Sequence, residues 1–221
     1  MDDEIAGRPA DDRSALPFND RLPPGEDLTR IISLSDGVFA FSLTFLVISL
    51  VVPTGLTEGQ LGAHLAQDWP TFLGYAFAFF LIANWWTIHH RTFSYVRRYD
   101  GTVVWINMSI LLEIAVMPFV LTVFTTYGVA GDQYAVILFA ATQALTGVTF
   151  AGLWRYATAD HRLVDPDLDA RLIRYYADRG LVTPLIFVLS IAISFASVSW
   201  AEYSWVAMFV VPRLLRRYRF S

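Results

Sequence analysis

The sequence predicts an all-α membrane protein with six transmembrane helices per subunit, and three observations carry that prediction. The chain is 55% hydrophobic and only 16% charged, with a mean hydropathy of +0.47. Water-soluble folds carry about 25% charged residues, so a chain of this size needs a bilayer as part of its solvent. Six apolar segments follow one another along its 221 residues. All 16 basic residues are Arg, and in a six-span topology every one of them falls on the same side.

Residues 1–29 are rich in Asp, Pro, Gly and Arg and hold no apolar run long enough for a signal-peptide core, so they read as a disordered cytoplasmic head. Counted through Arg30, this stretch carries eight acids and four Arg, which accounts for the whole net charge of −4; beyond it, twelve Arg balance twelve acids.

The first span runs from Ile31 to Val52 and stops at Pro53. At 1.5 Å per residue it reaches about 33 Å, enough to cross the hydrocarbon core. The next four are Thr71 to Ile88, Thr102 to Thr125, Gln133 to Trp154 and Leu181 to Val198. The sixth, Ser199 to Val211, is of marginal length and has Glu202 near its start, so a half-inserted or interfacial segment is its alternative.

Arginine placement tests this order independently of hydropathy, because short cytoplasmic loops collect positive charge. With the amino terminus inside, the inner segments hold the four Arg of the head, Arg91, Arg97 and Arg98, the five from Arg155 to Arg179, and the four from Arg213 to Arg219. A five-span chain would strand the last cluster outside, so both termini are expected in the cytoplasm. Trp69, Trp154 and Trp200 fall near span ends, where interfacial aromatics belong. The chain has no internal repeat. It divides into the head, a six-helix transmembrane domain over 30–213 and a basic cytoplasmic tail over 214–221.

Composition also excludes several functions. Cysteine is absent, which removes disulfides, thiolate zinc sites and cysteine nucleophiles. No nucleophile elbow, phosphate-cradling glycine loop or paired-carboxylate motif falls in a membrane-plausible place, so the chain does not read as an enzyme and no cofactor is implied. The short Arg clusters are explained by topology, not by nucleic acid. Membrane lipid is the expected surrounding.

Ionisable groups inside spans are costly and therefore functional candidates. Asp36 lies about one and a half turns into the first span and can pair with Arg30, His90 or a permeant cation. Glu113 lies near the middle of the third span. It is either a protonated carboxyl bonding a neighbouring helix or a proton or cation site, which leaves a proton-coupled transporter or proton channel as the alternative function. His89 and His90 close the second span. Adjacent histidines on a helix point about 100° apart, which argues against convergence on a metal with Asp100 and leaves a hydrogen bond from His90 to a first-span acceptor as the better use. Thr125 to Val129 contains the letters of a potassium-channel filter but not the order Thr-Val-Gly-Tyr-Gly, and reads as a turn in a short outer loop.

The first span carries two stripes. Ser35, Ser42 and Ser49 recur every seven residues, and Phe41, Thr44, Phe45 and Ile48 follow helical spacing as a mostly apolar line. Polarity alone would set the serine line beside water, whereas small residues along one face equally suit close helix packing. The residues leave the two readings open.

Arg30 followed by Ser35-Asp36 fits the pattern R-x-x-x-F-S-D apart from Leu34 in the Phe position. The second span ends in W-W-T-I-H-H-R-T-F from Trp85 to Phe93, and the third carries Asn107 and Pro118-Phe119. Together these resemble the transmembrane protein 175 family of prokaryotic and lysosomal potassium channels, closely over the first three spans and by length and topology over the rest. The resemblance implies a multi-pass cell-membrane potassium channel, a homotetramer whose first helix lines a central pore, with potassium as the permeant ion. It implies an apolar constriction in place of a carbonyl filter, acting as gate and selectivity filter, which falls here on Phe41, Phe45 and Ile48 with a hydroxyl from Thr44. The serine line then packs against the bundle, and Arg30, Ser35, Asp36, His90 and Asn107 form the network that fixes the pore helix. Asp36, about 140° around the helix from Phe41, is placed behind the pore. Phe41 and Phe45 stand where aliphatic residues are usual, and Glu113 where an apolar one is.

Overall fold

The computed structural model describes residues 26–50, 54–55, 59–128, 130–208 and 210–211. The head up to residue 25 and the basic tail lie outside the described residues. Seven α-helices make up the described fold: α1 Glu26–Phe45, α2 Gln60–Gln67, α3 Trp69–Tyr95, α4 Gly101–Val123, α5 Gln133–Thr158, α6 Ala170–Ser194 and α7 Val198–Ser204. Five of these, α1 with its extension and α3 to α6, are long and apolar enough to cross a membrane. The protein is an all-α, multi-pass membrane protein.

The second to fourth expected spans each fall within one long helix that overruns them; α6 carries the fifth but ends at Ser194, short of Val198, and the expected close of the first span at Val52 and Pro53 lies outside the described residues. Helix α1 starts at Glu26, inside the stretch expected to be disordered, and α3 runs on to Tyr95. Helix α6 starts at Ala170, so Arg171, Arg174 and Arg179 lie on the helix and not in a loop. A hydropathy reading stops where apolar residues stop, whereas backbone hydrogen bonding continues until a cap or a turn residue ends it. The caps are visible: Asp100 accepts from Val103 N–H at 2.9 Å, Asp132 from Ala135 N–H at 3.0 Å and Asp169 from Arg171 N–H at 2.7 Å.

Two expectations are corrected. The segment from Thr125 is not a turn: Phe124–Gly128 continues α4 as a single π-helical turn. A Cβ on Gly128 would sit 2.5 Å from the Phe124 ring, so glycine is what lets the ring fold back there. The sixth segment is broken. Helix α7 ends at Ser204, the chain turns at Trp205 and Val206, and helix resumes at 207. Trp205 packs against Phe124, Phe139 and Phe187 at ring centroid distances of 5.3, 4.8 and 5.5 Å, which draws the break into the aromatic core.

Helix α5 is the most buried span and lies between α4 and α6, while α1 rests on α3 and α4. The ends of α3 and α5 and the start of α6 meet: the Tyr95 ring lies 5.7 Å from Trp154 and 5.9 Å from Tyr176, and Arg97 N–H donates to Leu163 O at 2.8 Å. This gathers the arginines from Arg91 to Arg179 at one end of the bundle. The start of α1, with Arg30, joins the same end, because Ser35 meets the beginning of α4 and Asp36 meets α3 near its close.

Candidate functional site

The two stripes of α1 part cleanly. Phe39 and Leu46 are buried with Ser35 and Ser42, so the serine line faces the subunit interior. The side chain of Ser49 lies outside the described residues. Phe41, Thr44, Phe45 and Ile48 face outward, with Phe41 62% and Ile48 67% exposed within the subunit. The polarity-based alternative, serines beside water, is therefore not the face this fold leaves open.

The geometry of the outward line follows from local backbone. Phe41 and Phe45, one turn apart, hold their rings 4.5 Å apart and tilted by 45°. Thr44 Oγ1 donates to Phe41 O at 2.8 Å, which ties its hydroxyl proton to its own helix and leaves the oxygen outward as an acceptor. Past Phe45 the helix tightens to a 3₁₀ turn over Leu46–Ser49. Residues three apart eclipse in a 3₁₀ turn, so Ile48 falls in line with Phe45 and extends the apolar ridge along the axis.

Behind this ridge, three buried polar side chains join three helices. Asn107 Nδ2 donates to Ser35 Oγ at 3.0 Å, and His89 Nε2 lies 2.9 Å from Asn107 Oδ1. An amide oxygen only accepts, so His89 carries its proton on Nε2. Ser35 Oγ in turn donates to Ile31 O at 2.8 Å. All three side chains are fully buried. The relay runs from α3 through α4 to α1 and ties the first helix to the rest of the bundle.

The network therefore joins Ser35 and Asn107 to His89, not to His90. His90 is exposed and stacks on Trp86 at 5.4 Å, while Asp36 accepts from Trp86 Nε1 at 2.8 Å. Asp36 and His90 thus share Trp86 as a go-between on the half-exposed side of the same helix pair. Arg30 lies exposed in the second turn of α1, more than one and a half turns before Asp36. Asp100 caps α4 and accepts from Tyr156 O–H at 2.7 Å. Among the described residues no group of three or more His, Asp or Glu converges as a metal site.

Glu113 is half-buried between α4 and α5, where the Thr149 hydroxyl lies 2.8 Å from its Oε1. The same hydroxyl lies 3.0 Å from Leu145 O. One hydroxyl proton serves one of these acceptors, and a protonated Glu113 donating to Thr149 would satisfy both contacts.

One buried residue that composition and motif did not single out, Gln143, completes the support. Gln143 accepts from Trp85 Nε1 at 2.9 Å and reaches Met117 Sδ at 3.0 Å, joining α3, α4 and α5. Of the two adjacent histidines, His89 is the buried one. Its signal is periodic: Leu81, Ile82, Trp85, His89, Phe93 and Val96 recur at three or four residues and are all buried.

A multi-pass helical membrane protein that leaves an apolar ridge uncovered on its first helix, and braces that helix from behind with buried polar bonds, has the build of a pore-forming subunit. Residues 30–118 match the family of the endosomal/lysosomal potassium channel TMEM175. A protein of Streptomyces collinus named a potassium channel is 30% identical over 175 residues, covering 76% of this chain and 82% of that one. Another of that name from Chamaesiphon minutus is 29% identical over 184 residues, covering 80% and 88%. The chain belongs to the TMEM175 family. The fold agrees with the crystal structure of a lysosomal potassium-selective channel TMEM175 homolog from Chamaesiphon minutus, at a TM-score of 0.69 and 24% identity over 88% of this chain and 99% of that one.

Proposed function

We propose that this protein is a potassium-permeable cation channel of the cell membrane, assembled as a homotetramer in which α1 of each subunit lines a central pore. The observation that carries this reading is the outward ridge of Phe41, Thr44, Phe45 and Ile48, exposed within the subunit on a helix tied from behind by the buried Ser35–Asn107–His89 bonds. Four such ridges meeting at an axis leave a narrow, poorly solvated neck. An ion passes it only by shedding part of its hydration, and potassium sheds water at less cost than sodium. The neck then acts as both gate and selectivity filter without a carbonyl cage. The Thr44 oxygens supply the polar contact at mid-neck. The arginine-rich end faces the cytoplasm by the positive-inside bias, which puts both termini there.

The test is ion flux in proteoliposomes under a potassium gradient, repeated with sodium and with a large impermeant cation. Potassium flux above sodium flux is the expected result. Absence of flux for both ions, with a proton signal in their place, would move the function to the alternative at Glu113.

A further inference from the structure

A crevice of about 410 Å³ separates α3 from the α5–α6 pair, away from the outward ridge of α1. Its deep part is mostly apolar: Trp85 stacks on Phe150 at 5.3 Å with the rings parallel to within 2°, Leu81 and Phe187 line the wall, and the one buried amide there, Gln143, is spent on Trp85 Nε1 and Met117 Sδ. Its mouth, at the arginine-rich end, is cationic. Arg91 Cζ lies 4.8 Å above the Tyr176 ring, and Arg179 Nη1 donates to Tyr175 O–H at 3.5 Å. Both arginines are half-buried and repel each other across the mouth, and the described residues that line the crevice include no carboxylate.

Two guanidinium groups held together without an acid are short of an anion, and arginine forks fit phosphate oxygens well. The aromatic rings beside them set the mouth at the depth of lipid headgroups. A free phosphate would fill the mouth alone and leave the apolar slot, which continues toward the bilayer middle, without an occupant. We propose that the crevice binds one anionic phospholipid, its phosphate between Arg91 and Arg179 and one acyl chain along Leu81, Trp85 and Phe150. This site stands independently of what the pore conducts.

The test is native mass spectrometry of the assembled protein with phosphatidylglycerol or phosphatidylcholine at equal concentration. Phosphatidylglycerol is expected to be retained roughly thirtyfold more, as two interfacial cations favouring an anionic headgroup would give. The double substitution Arg91→Gln with Arg179→Gln should abolish that preference, while Arg97→Gln with Arg98→Gln at the same end should keep it. Should the first pair fail to assemble, Thr183→Phe narrows the slot with both cations in place and should reduce phosphatidylglycerol retention by itself. Equal retention of the two lipids, or equal loss in both double variants, overturns the proposal. Displacement of the lipid by water-soluble glycerol phosphate at matched concentration also overturns it, since the mouth would then be a free-anion site.

Discussion

Asn107 donates to Ser35 across 3.0 Å while accepting from His89 at 2.9 Å, so one buried amide holds α1 to both α3 and α4. Truncation to Asn107→Ala leaves the His89 Nε2–H without an acceptor in a water-free site. An orphaned buried donor costs about 1–3 kcal/mol. The melting temperature of the detergent-solubilised protein should fall accordingly. His90→Ala removes only an exposed ring stacked on Trp86 and should cost within about 0.5 kcal/mol. An equal drop in the two variants would show that the relay does not brace the helix.

Much of this was legible from residue order, and the misses have physical causes. Five spans can be read because a membrane demands an unbroken apolar run, and Ile31 to Val52 or Thr102 to Thr125 supply one. Their ends cannot, because α3 and α6 carry their helices into arginine-bearing turns that hydropathy counts as loop. The sixth segment misleads because Trp205 serves the core of α4 to α6, and the chain breaks its helix to place that ring. The 100° between His89 and His90 shows that only one of them can face the first span, but not which one; the buried period through Trp85 and Phe93 selects His89. Spacing draws the two stripes of α1, but only the fold shows that the apolar one is left uncovered and that Ser35 and Ser42 are buried.

The ridge gives the most direct prediction about permeation. Phe41→Ala and Phe45→Ala each remove a ring from the proposed neck, so unitary conductance should rise several-fold and potassium over sodium selectivity should fall. Single-channel recording in planar bilayers reads both. Ser42→Ala, on the buried face of the same helix, should leave conductance unchanged. Unchanged permeation in both Phe variants would remove these residues from the neck.

Gly147 of α5 packs against Pro184 of α6, and a Cβ there would meet Pro184 Cδ at 2.7 Å. The proline ring is rigid and sits inside α6, so it has little room to yield. Gly147→Ala gains about 1 kcal/mol of helix propensity but forces the two helices apart at a cost of about 1–3 kcal/mol, for a net loss. Gly152→Ala, one and a half turns along, meets nothing within 4 Å and should keep the propensity gain. Thermal denaturation of the two variants side by side separates packing from propensity; a Gly147→Ala protein as stable as Gly152→Ala would show that the α5–α6 contact opens freely.

Glu113 separates the two functional readings. Its Oε1 lies 2.8 Å from the Thr149 hydroxyl, inside the subunit and on helices other than the one bearing the outward ridge. Glu113→Gln keeps the shape and supplies an amide that can donate to Thr149, so the contact between α4 and α5 survives with no titratable proton. Potassium flux in proteoliposomes should then stay within about twofold of wild type, because a group remote from the neck does not set the hydration cost there. Glu113→Leu removes the partner of Thr149 and should lower stability by about 1 kcal/mol while leaving selectivity intact. A Glu113→Gln protein that assembles normally but loses flux would place the carboxyl in the transport path and favour proton coupling over a plain potassium pore.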